Sequence, residues 1–306
     1  MGTVIRATAV STDPAVHSSV DHSALAAEAC IERAGITPDQ VDLLINTGVY
    51  RDRNMSEPAM AALVQQRLGI NPDHVRFPTA RPALSFDLMN GACGVLDAVR
   101  VGADFITTGS AEYVLVVSGD AHPSNDPERA RATGFPYATM GAAMLLERSP
   151  REDAGFGRVH SSPVSADAAP LVEGYTDSSR MGADGRGTVT VRRAPETADV
   201  LADLAAATVR ACAEAQRVDL RAALLVASQP HPGFPAEVAA RLGLPADAAA
   251  TATGVDGDPH TSALTLAYHQ AAAAGRVGDR PVVFVAVGAG PACSCAVYRP
   301  ADPAPR

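Results

Sequence analysis

The chain reads as one supersecondary unit written twice, and no other feature limits its fold so much. The first copy holds DLLINTG at Asp42–Gly48, LVQQRLGI at Leu63–Ile70 and YVLVVSGD at Tyr113–Asp120. The second holds ALLVASQ at Ala223–Gln229, EVAARLGL at Glu237–Leu244 and RPVVFVAV at Arg280–Val287. Each set runs strand, helix, strand by its apolar spacing. Cys30 lies 14 positions before Leu44 and Cys212 lies 13 before Leu225, on what reads as the preceding helix of each copy. Such alternation predicts mostly parallel sheets joined by right-handed crossovers. A duplicated unit predicts two halves packed about a pseudo-twofold axis. The charged, Pro- and Gly-bearing stretch Ser149–Gly157 divides them into residues 1–148 and 149–306.

The stretch Leu84–Asp120 carries the chemistry. Leu84–Met89 reads as a strand, Asn90-Gly91-Ala92 as a turn of small residues, and Val95, Leu96, Val99, Ala103 and Ile106 recur at helical spacing. Cys93 falls where turn becomes helix. Unpaired N–H groups and the positive end of the helix dipole meet there, which favours a thiolate. Gly91, Ala92 and Gly94 leave room for a substrate to approach. Taken alone, a buried cysteine is more often a small hydrophobe. The repeat adds weight: Cys93 precedes Tyr113 by 20 positions, and His260 precedes Arg280 by 20. The two residues therefore hold the same place, a helix start, in the two copies.

The remaining elements follow ordinary signals. Met1–Val10 reads as a strand and Ser23–Ala34 as an amphipathic helix capped by Ser23 and stopped by Gly35. Pro58–Leu68, Val200–Glu214, Ala236–Leu242 and His260–Ala274 read as helices, and Thr139–Leu146 as a closing strand. The 306 residues carry a net charge of −9, which argues against broad nucleic-acid binding. No apolar run reaches the length of a membrane span, and the N-terminus lacks a signal-peptide pattern. Five unpaired cysteines without export signal predict reduced thiols in the cytoplasm. Cys293 and Cys295 are too isolated from other ligands to indicate metal.

A duplicated α/β unit with Cys and His on the two central helices resembles the thiolase superfamily, and within it the ketoacyl synthase III enzymes. The similarity runs from Leu25 to Arg299. FDLMNGACGVLDAV matches that family's nucleophile segment, and YATMGAAMLL resembles its FGDGAGAAVL strand. VGAGPACSCAVYR resembles its C-terminal FGAG strand, and GDPHTSAL its GNTSAA turn. The resemblance implies a five-layer αβαβα fold and an acyl-CoA or carrier-protein thioester substrate with no cofactor. It also implies a homodimer, or a heterodimer, formed through an edge strand near Tyr113–Ser118. More narrowly, TGVYRDRNMSEPAMAALVQQRLGI resembles the head-to-head acyl-CoA condensing enzymes of olefin and β-lactone biosynthesis. There a Glu before Pro reaches into the partner's active site as a base, the place held here by Glu57.

The sequence departs from the family at defined points. The family's catalytic His falls on Ser228, three positions before His231, which would replace it by a shifted loop. The family's Asn falls on His260, as in the Cys-His-His synthases. The front segment with its CoA-stacking Trp is missing, and the carrier-docking basic residue falls near Gly233. Arg129, Arg131, Arg192 and Arg193 are candidate contacts for CoA phosphates, though each alone suits a solvated surface, and His122 reads as structural.

An acyl thioester needs a nucleophile, a base and an oxyanion hole. The expected assignment is Cys93 as nucleophile, His260 and His231 as proton-handling groups, and Glu57 as a base lent across a dimer. The oxyanion is expected between the N–H groups of Cys93 and Ala289, in a turn shaped by Gly288 and Gly290. Ser228, Gly288 and Gly290 are expected to line the substrate. The acceptor stays open: a malonyl-type carbanion, a second acyl-CoA, or an alcohol or amine. The competing expectation is a non-catalytic or half-site partner subunit of a heterodimer that contributes Glu57.

Overall fold

A computed structural model describes residues 2–71, 82–162, 170–177, 179, 185–288 and 290–301. The first sheet draws on β1 (Thr3–Ser11), β2 (Leu43–Asn46), β3 (Leu84–Asp87), β4 (Tyr113–Asp120) and β5 (Met140–Arg148). Between them run α1 (Ser19–Ala34), α2 (Met60–Leu68), α3 (Gly94–Thr107) and the short α4 (Pro127–Ala132). Three short strands, β6 (Gly155–Phe156), β7 (His160–Ser161) and β8 (Val172–Tyr175), lead to β9 (Thr190–Arg193). The remainder is α5 (Thr197–Ala215), β10 (Leu224–Ala227), α6 (Phe234–Arg241), β11 (Ala249–Ala250), α7 (Ala263–Ala273), β12 (Val282–Gly288) and β13 (Ala292–Arg299).

The two large sheets match along five strands, and β7 pairs with β13 as a sixth strand of the second. The first has the order β1-β5-β4-β2-β3 and the second β6-β13-β12-β10-β11. β2 is parallel to β3 and β4, as β10 is to β11 and β12. The expected parallel character stops there: β5 and β13 return antiparallel. For β13 the reason is the brief link after β12, since a parallel return needs a long crossover.

Alternation along the strands builds the layers. Leu44, Leu115 and Val117 face outward against Ala26, Cys30 and Ile31 of α1 and Val64 of α2. Leu43, Ile45, Val114 and Val116 face inward against Val95, Ala98, Val99 and Ile106 of α3. In the second sheet Leu225, Val283 and Val285 meet α5 and α6, while Leu224, Val226 and Phe284 meet Leu264, Ala267 and Ala271 of α7. Strands covered on both faces are apolar throughout, which explains runs such as VLVV and VVFVAV. The inner cluster joins Cys93 and Leu96 to α7 and β12, so the halves share one core at the start of α3. No helix among the described residues is long and apolar enough to cross a membrane.

Two expectations change. α1 begins at Ser19 and not at Ser23, because Ser18 caps it by accepting the Asp21 N–H. Ser23 instead donates to the Ser19 carbonyl at 2.8 Å. Tyr113–Ser118 is not an edge, because β4 lies between β5 and β2. Among the described residues the first sheet ends at β1 and β3, and Leu84 of β3 and the nearby Met89 are 49% and 55% exposed.

α1 sits close because two paired glycines, Gly119 and Gly141, face it. A methyl group on Gly141 would lie 2.5 Å from the His22 carbonyl, and one on Gly119 would lie 2.3 Å from Ser23 Oγ. Backbone against backbone has little room to yield, so overpacking here is costly. Gly141→Ala is therefore expected to destabilise the protein by about 2 kcal/mol or more, read as a lower midpoint in chemical denaturation. An unchanged midpoint would contradict this packing.

Candidate active site

Cys93 is placed by the turn Asn90–Cys93. Its N–H donates to the Asn90 carbonyl at 3.1 Å, and the Gly94 N–H donates to Gly91 at 3.0 Å. Gly91 has φ of +52°, a conformation that favours glycine. Asn90 Nδ2 donates to Asp97 Oδ2 at 2.7 Å, tying the turn to the first turn of α3. The Cys93 carbonyl accepts the N–H groups of Leu96 and Asp97, opening the helix. The thiol is 1% exposed and donates to the Ala286 carbonyl at 3.5 Å. A methyl group on Gly288 would lie 3.5 Å from Cys93 Sγ.

Burial works against the thiolate expected at a helix start. Burial pushes the Cys93 thiol up to about 11, Asp97 adds to the rise, and Ser294 opposes it. A helix dipole contributes typically 0.3–1 kcal/mol, less than the cost of burying an unpaired charge.

His260 heads a short 3₁₀ turn, His260–Ser262, that leads into α7. Its φ of +46° is unusual for a side-chain-bearing residue, and such strain gathers at functional sites. The Asp258 carboxylate accepts its backbone N–H at 2.8 Å. Nδ1 lies 3.0 Å from Asp120 Oδ2. Thr261 Oγ1 donates to the same oxygen at 2.5 Å, while Val49 and Tyr50 donate their N–H groups to Oδ1 at 3.0 and 2.7 Å. Burial alone would raise Asp120, but His260 and these donors hold its carboxyl below the usual range. Burial alone would lower His260, but Asp120 outweighs it and the imidazole is raised. Nδ1 carries its proton towards Asp120. Nε2 has no partner among the described residues and faces the Cys93 turn: a methyl group on Gly91 would lie 3.6 Å from it.

An aromatic wall encloses this imidazole. The Tyr137 ring is 4.3 Å from it and Tyr50 is 5.5 Å away, the two tyrosines stacking at 4.6 Å. The Arg193 guanidinium sits 5.2 Å from the Tyr137 ring. It donates to Asp258 Oδ2 at 2.8 Å and to the Pro230 carbonyl at 2.9 Å. Arg193 is thus committed to holding the His231 loop beside the His260 turn, and is not a free surface cation.

The other expected residues fare differently. Ser228 is 2% exposed and its hydroxyl accepts the Val287 N–H at 3.0 Å, so it braces two strands. His231 turns towards Glu237, with Nε2 3.5 Å from the carboxylate and its ring edge-on to Phe234. Its Nε2 is buried and has no hydrogen-bond partner among the described residues. Glu57 is exposed in the loop before α2. That loop is fastened by Arg51, which donates to the Met55 carbonyl and pairs with Asp87 at 3.3 Å. Gly288 adjoins the thiol, whereas a methyl group on Gly290 would touch nothing. Ala289 lies outside the described residues, and the Cys93 N–H already bonds Asn90, so an acyl oxygen there must compete for it. Asp120, Asp258 and Tyr137 were not expected in the site, and Arg193 was expected only as a candidate contact for CoA phosphates. The available signal was an acid ending a buried strand, VLVVSGD, beside a helix-start residue of the other copy.

The model of the 3-oxoacyl-[acyl-carrier-protein] synthase III family matches residues 86–166, the stretch with Cys93 and Asp120. A beta-ketoacyl-[acyl-carrier-protein] synthase III of Koribacter versatilis is 34% identical over 42% of this chain and 34% of its own length. Another from Sulfurovum is 27% identical, with 42% of its length covered. The chain thus spans well under half of these two relatives. The beta-ketoacyl-[acyl-carrier-protein] synthase III 3 of Streptomyces coelicolor is 28% identical over 87% of this chain and 78% of its own. Among solved structures, the 3-oxoacyl-(acyl carrier protein) synthase III of Pseudomonas aeruginosa superposes with a TM-score of 0.83 at 18% identity, covering 98% of each chain. Xanthomonas campestris OleA, solved with lauric acid and lauroyl-CoA, gives 0.74 at 17% identity, covering 98% of this chain and 99% of its own. At these identities the structures establish the shared fold.

The raised thiol gives a direct expectation. With a folded-state value near 11, Cys93 is almost wholly protonated at pH 8, so alkylation by iodoacetamide should be slow there. The rate should climb roughly tenfold per pH unit up to about pH 10, as the thiolate fraction does. Peptide mass mapping reads this site by site. Rapid labelling of Cys93 at pH 7 would contradict it.

Proposed function

We propose, from its likeness in sequence and fold to ketoacyl synthase III enzymes of the thiolase superfamily, that this chain is an acyltransferase working through an acyl-Cys93 intermediate. The carrying observation is the meeting of three elements at one turn. Cys93 opens α3, Gly288 of β12 leaves space beside its sulfur, and His260 Nε2 faces Gly91. The donor is an acyl-CoA or carrier-protein thioester from lipid or secondary metabolism.

The proposed steps are these. His260 Nε2 takes the thiol proton as the donor thioester enters, because a thiol near 11 needs a base at neutral pH. Asp120 stabilises the imidazolium that results. Sγ attacks the thioester carbonyl, and the donor thiol leaves with the proton from His260. An acceptor then attacks acyl-Cys93 and frees the sulfur. Tyr137 and Tyr50 shield the imidazole from water, which strengthens its pairing with Asp120.

Intact mass after mixing with short- and medium-chain acyl-CoAs should show one added acyl group on wild-type protein and none on Cys93→Ala. Cys30→Ala should still be acylated, since Cys30 is fully buried in the outer core of α1. Equal acylation of Cys93→Ala would remove the nucleophile from the account.

A second role is supported by β3, an end strand of the first sheet among the described residues, and by the exposed Glu57. A second copy adding its own β3 there would continue the sheet, cover Leu84, and bring one copy's Glu57 near the other's Cys93 turn. Glu57 would then serve as a base across the dimer, in a homodimer or towards a different partner subunit. The check is complementation. Dimers mixed from Glu57→Ala and Cys93→Ala chains should regain one working site in two. No recovery, with both chains folded and exchanging, would confine Glu57 to a structural role.

A further inference from the structure

We infer that the Ser294 hydroxyl is a further catalytic group of this site, donating to Cys93 Sγ whenever the sulfur carries charge, with Ser161 donating to it in turn. This rests on the acyl-Cys93 reading.

The sulfur lies on the inner face of the β12–β13 ladder. Alternation puts Val282, Phe284 and Ala286 of β12 and Ala296 and Tyr298 of β13 on that face, in one apolar cluster with Cys93. Ser294 belongs to the same face. It pairs with Ala286 across the ladder, is 3% exposed, and its hydroxyl lies within hydrogen-bond reach of Cys93 Sγ. A hydroxyl buried in apolar surroundings is costly unless it is hydrogen-bonded. Its other neighbour is Ser161 of β7, which pairs with Ser294 in the register and lies 3.3 Å away between hydroxyl oxygens. Ser161 is exposed, so the two hydroxyls lead from the surface to the sulfur.

Two groups beside the sulfur treat its charge states differently. The Ala286 carbonyl, 3.5 Å away, can only accept, so it favours the S–H form. A hydroxyl either accepts or donates, by rotating its hydrogen. Once the sulfur is ionised, Ala286 has no proton to accept, and the Ser294 O–H turns to Sγ. A hydrogen bond to an ionised group is roughly twice as strong as a neutral one. The Ser161 O–H then donates to Ser294 Oγ and polarises the first bond.

An electron pair is left on this sulfur twice in the proposed reaction. The first time is when His260 Nε2 takes the thiol proton. The second is when the acceptor bonds to the acyl carbon and the C–S bond breaks with its pair on Sγ. Ser294 serves both moments, whichever atom the acceptor attacks with.

The test reads the thiolate directly. Wild type and variants are labelled with iodoacetamide at about pH 9, and Cys93 is followed by peptide mass mapping. Ser294→Ala should label about tenfold more slowly, the factor that one pKa unit of lost thiolate stabilisation gives. Access alone predicts the reverse, because removing an oxygen beside the sulfur opens room for the reagent. Ser161→Ala should slow labelling by a smaller factor, and Ser294→Thr, which keeps the hydroxyl, should label near the wild-type rate. The titratable neighbours of the sulfur are Asp97 on its own helix, Cys293 on β13 and His260 at the head of α7, and these variants leave all three in place. Acylation by octanoyl-CoA, read as intact mass over time, should follow the same order. Labelling of Ser294→Ala at or above the wild-type rate, or of Ser294→Thr as slowly as Ser294→Ala, overturns the inference. If Ser294→Ala does not fold, Ser161→Ala carries the test, and labelling at the wild-type rate overturns it. Failure of wild-type Cys93 to load from octanoyl-CoA overturns the acyltransferase reading instead, while the order of labelling still decides the role of Ser294.

Discussion

Asp120 is the point at which the two halves are locked in register. It ends β4 of the first half and is 1% exposed, yet its partners His260 and Thr261 begin α7 of the second. Removing one member of a buried, hydrogen-bonded ion pair typically costs about 3–5 kcal/mol, because the other charge is stranded. The lock is reinforced nearby. Ser118 and Ser262 share a hydrogen bond at 2.9 Å, and Arg193 ties the Asp258 turn to the Pro230 loop. The unusual backbone of His260 persists because Asp258, Asp120 and the stacked Tyr137 each hold a different part of it.

The sequence made the architecture legible because duplication leaves a pattern that survives loss of identity. DLLINTG and ALLVASQ became β2 and β10, and the equal spacing of Cys93 and His260 put both at central helix starts. The partners of those residues were less legible, for physical reasons. Asp120 meets His260 across 140 positions, and no local spacing encodes that contact. The charge state of Cys93 depends on how completely β12 and β13 cover it, whereas the local motif showed only a helix start. The edge of a sheet is a property of strand order, so an apolar run such as YVLVVS could not say whether it had two neighbours or one.

Ser228 and His231 show how a loop divides roles that a motif merges. Both follow β10, and either looked able to serve the chemistry. The strand continues straight into Ser228, whose N–H bonds the Val285 carbonyl, so its side chain is drawn into bracing β12. Pro230 and Pro232 then turn the chain away, and His231 packs on Phe234 at the start of α6. With 4% aromatic content, the protein nevertheless spends Tyr50, Phe135 and Tyr137 on one cluster beside His260. Those rings keep water from the imidazole where the chemistry would need it dry.

The duplication also explains how a symmetric frame yields an asymmetric site. The Thr47 N–H bonds Val117 in the first sheet, and the Ser228 N–H bonds Val285 in the second. Counting three residues on from each carbonyl reaches Asp120 and Gly288, which therefore occupy matching ends of the two central strands. Each end meets the helix start of the other half. Asp120 places a carboxylate against His260, while Gly288 places only a hydrogen beside Cys93 Sγ. A carboxylate at both positions would repel the thiolate and block the acyl carbonyl. Glycine at both would leave His260 without the charge that holds its tautomer. One residue type at each of two equivalent positions thus separates the proposed base from the proposed nucleophile, and the shared backbone brings both to the same turn.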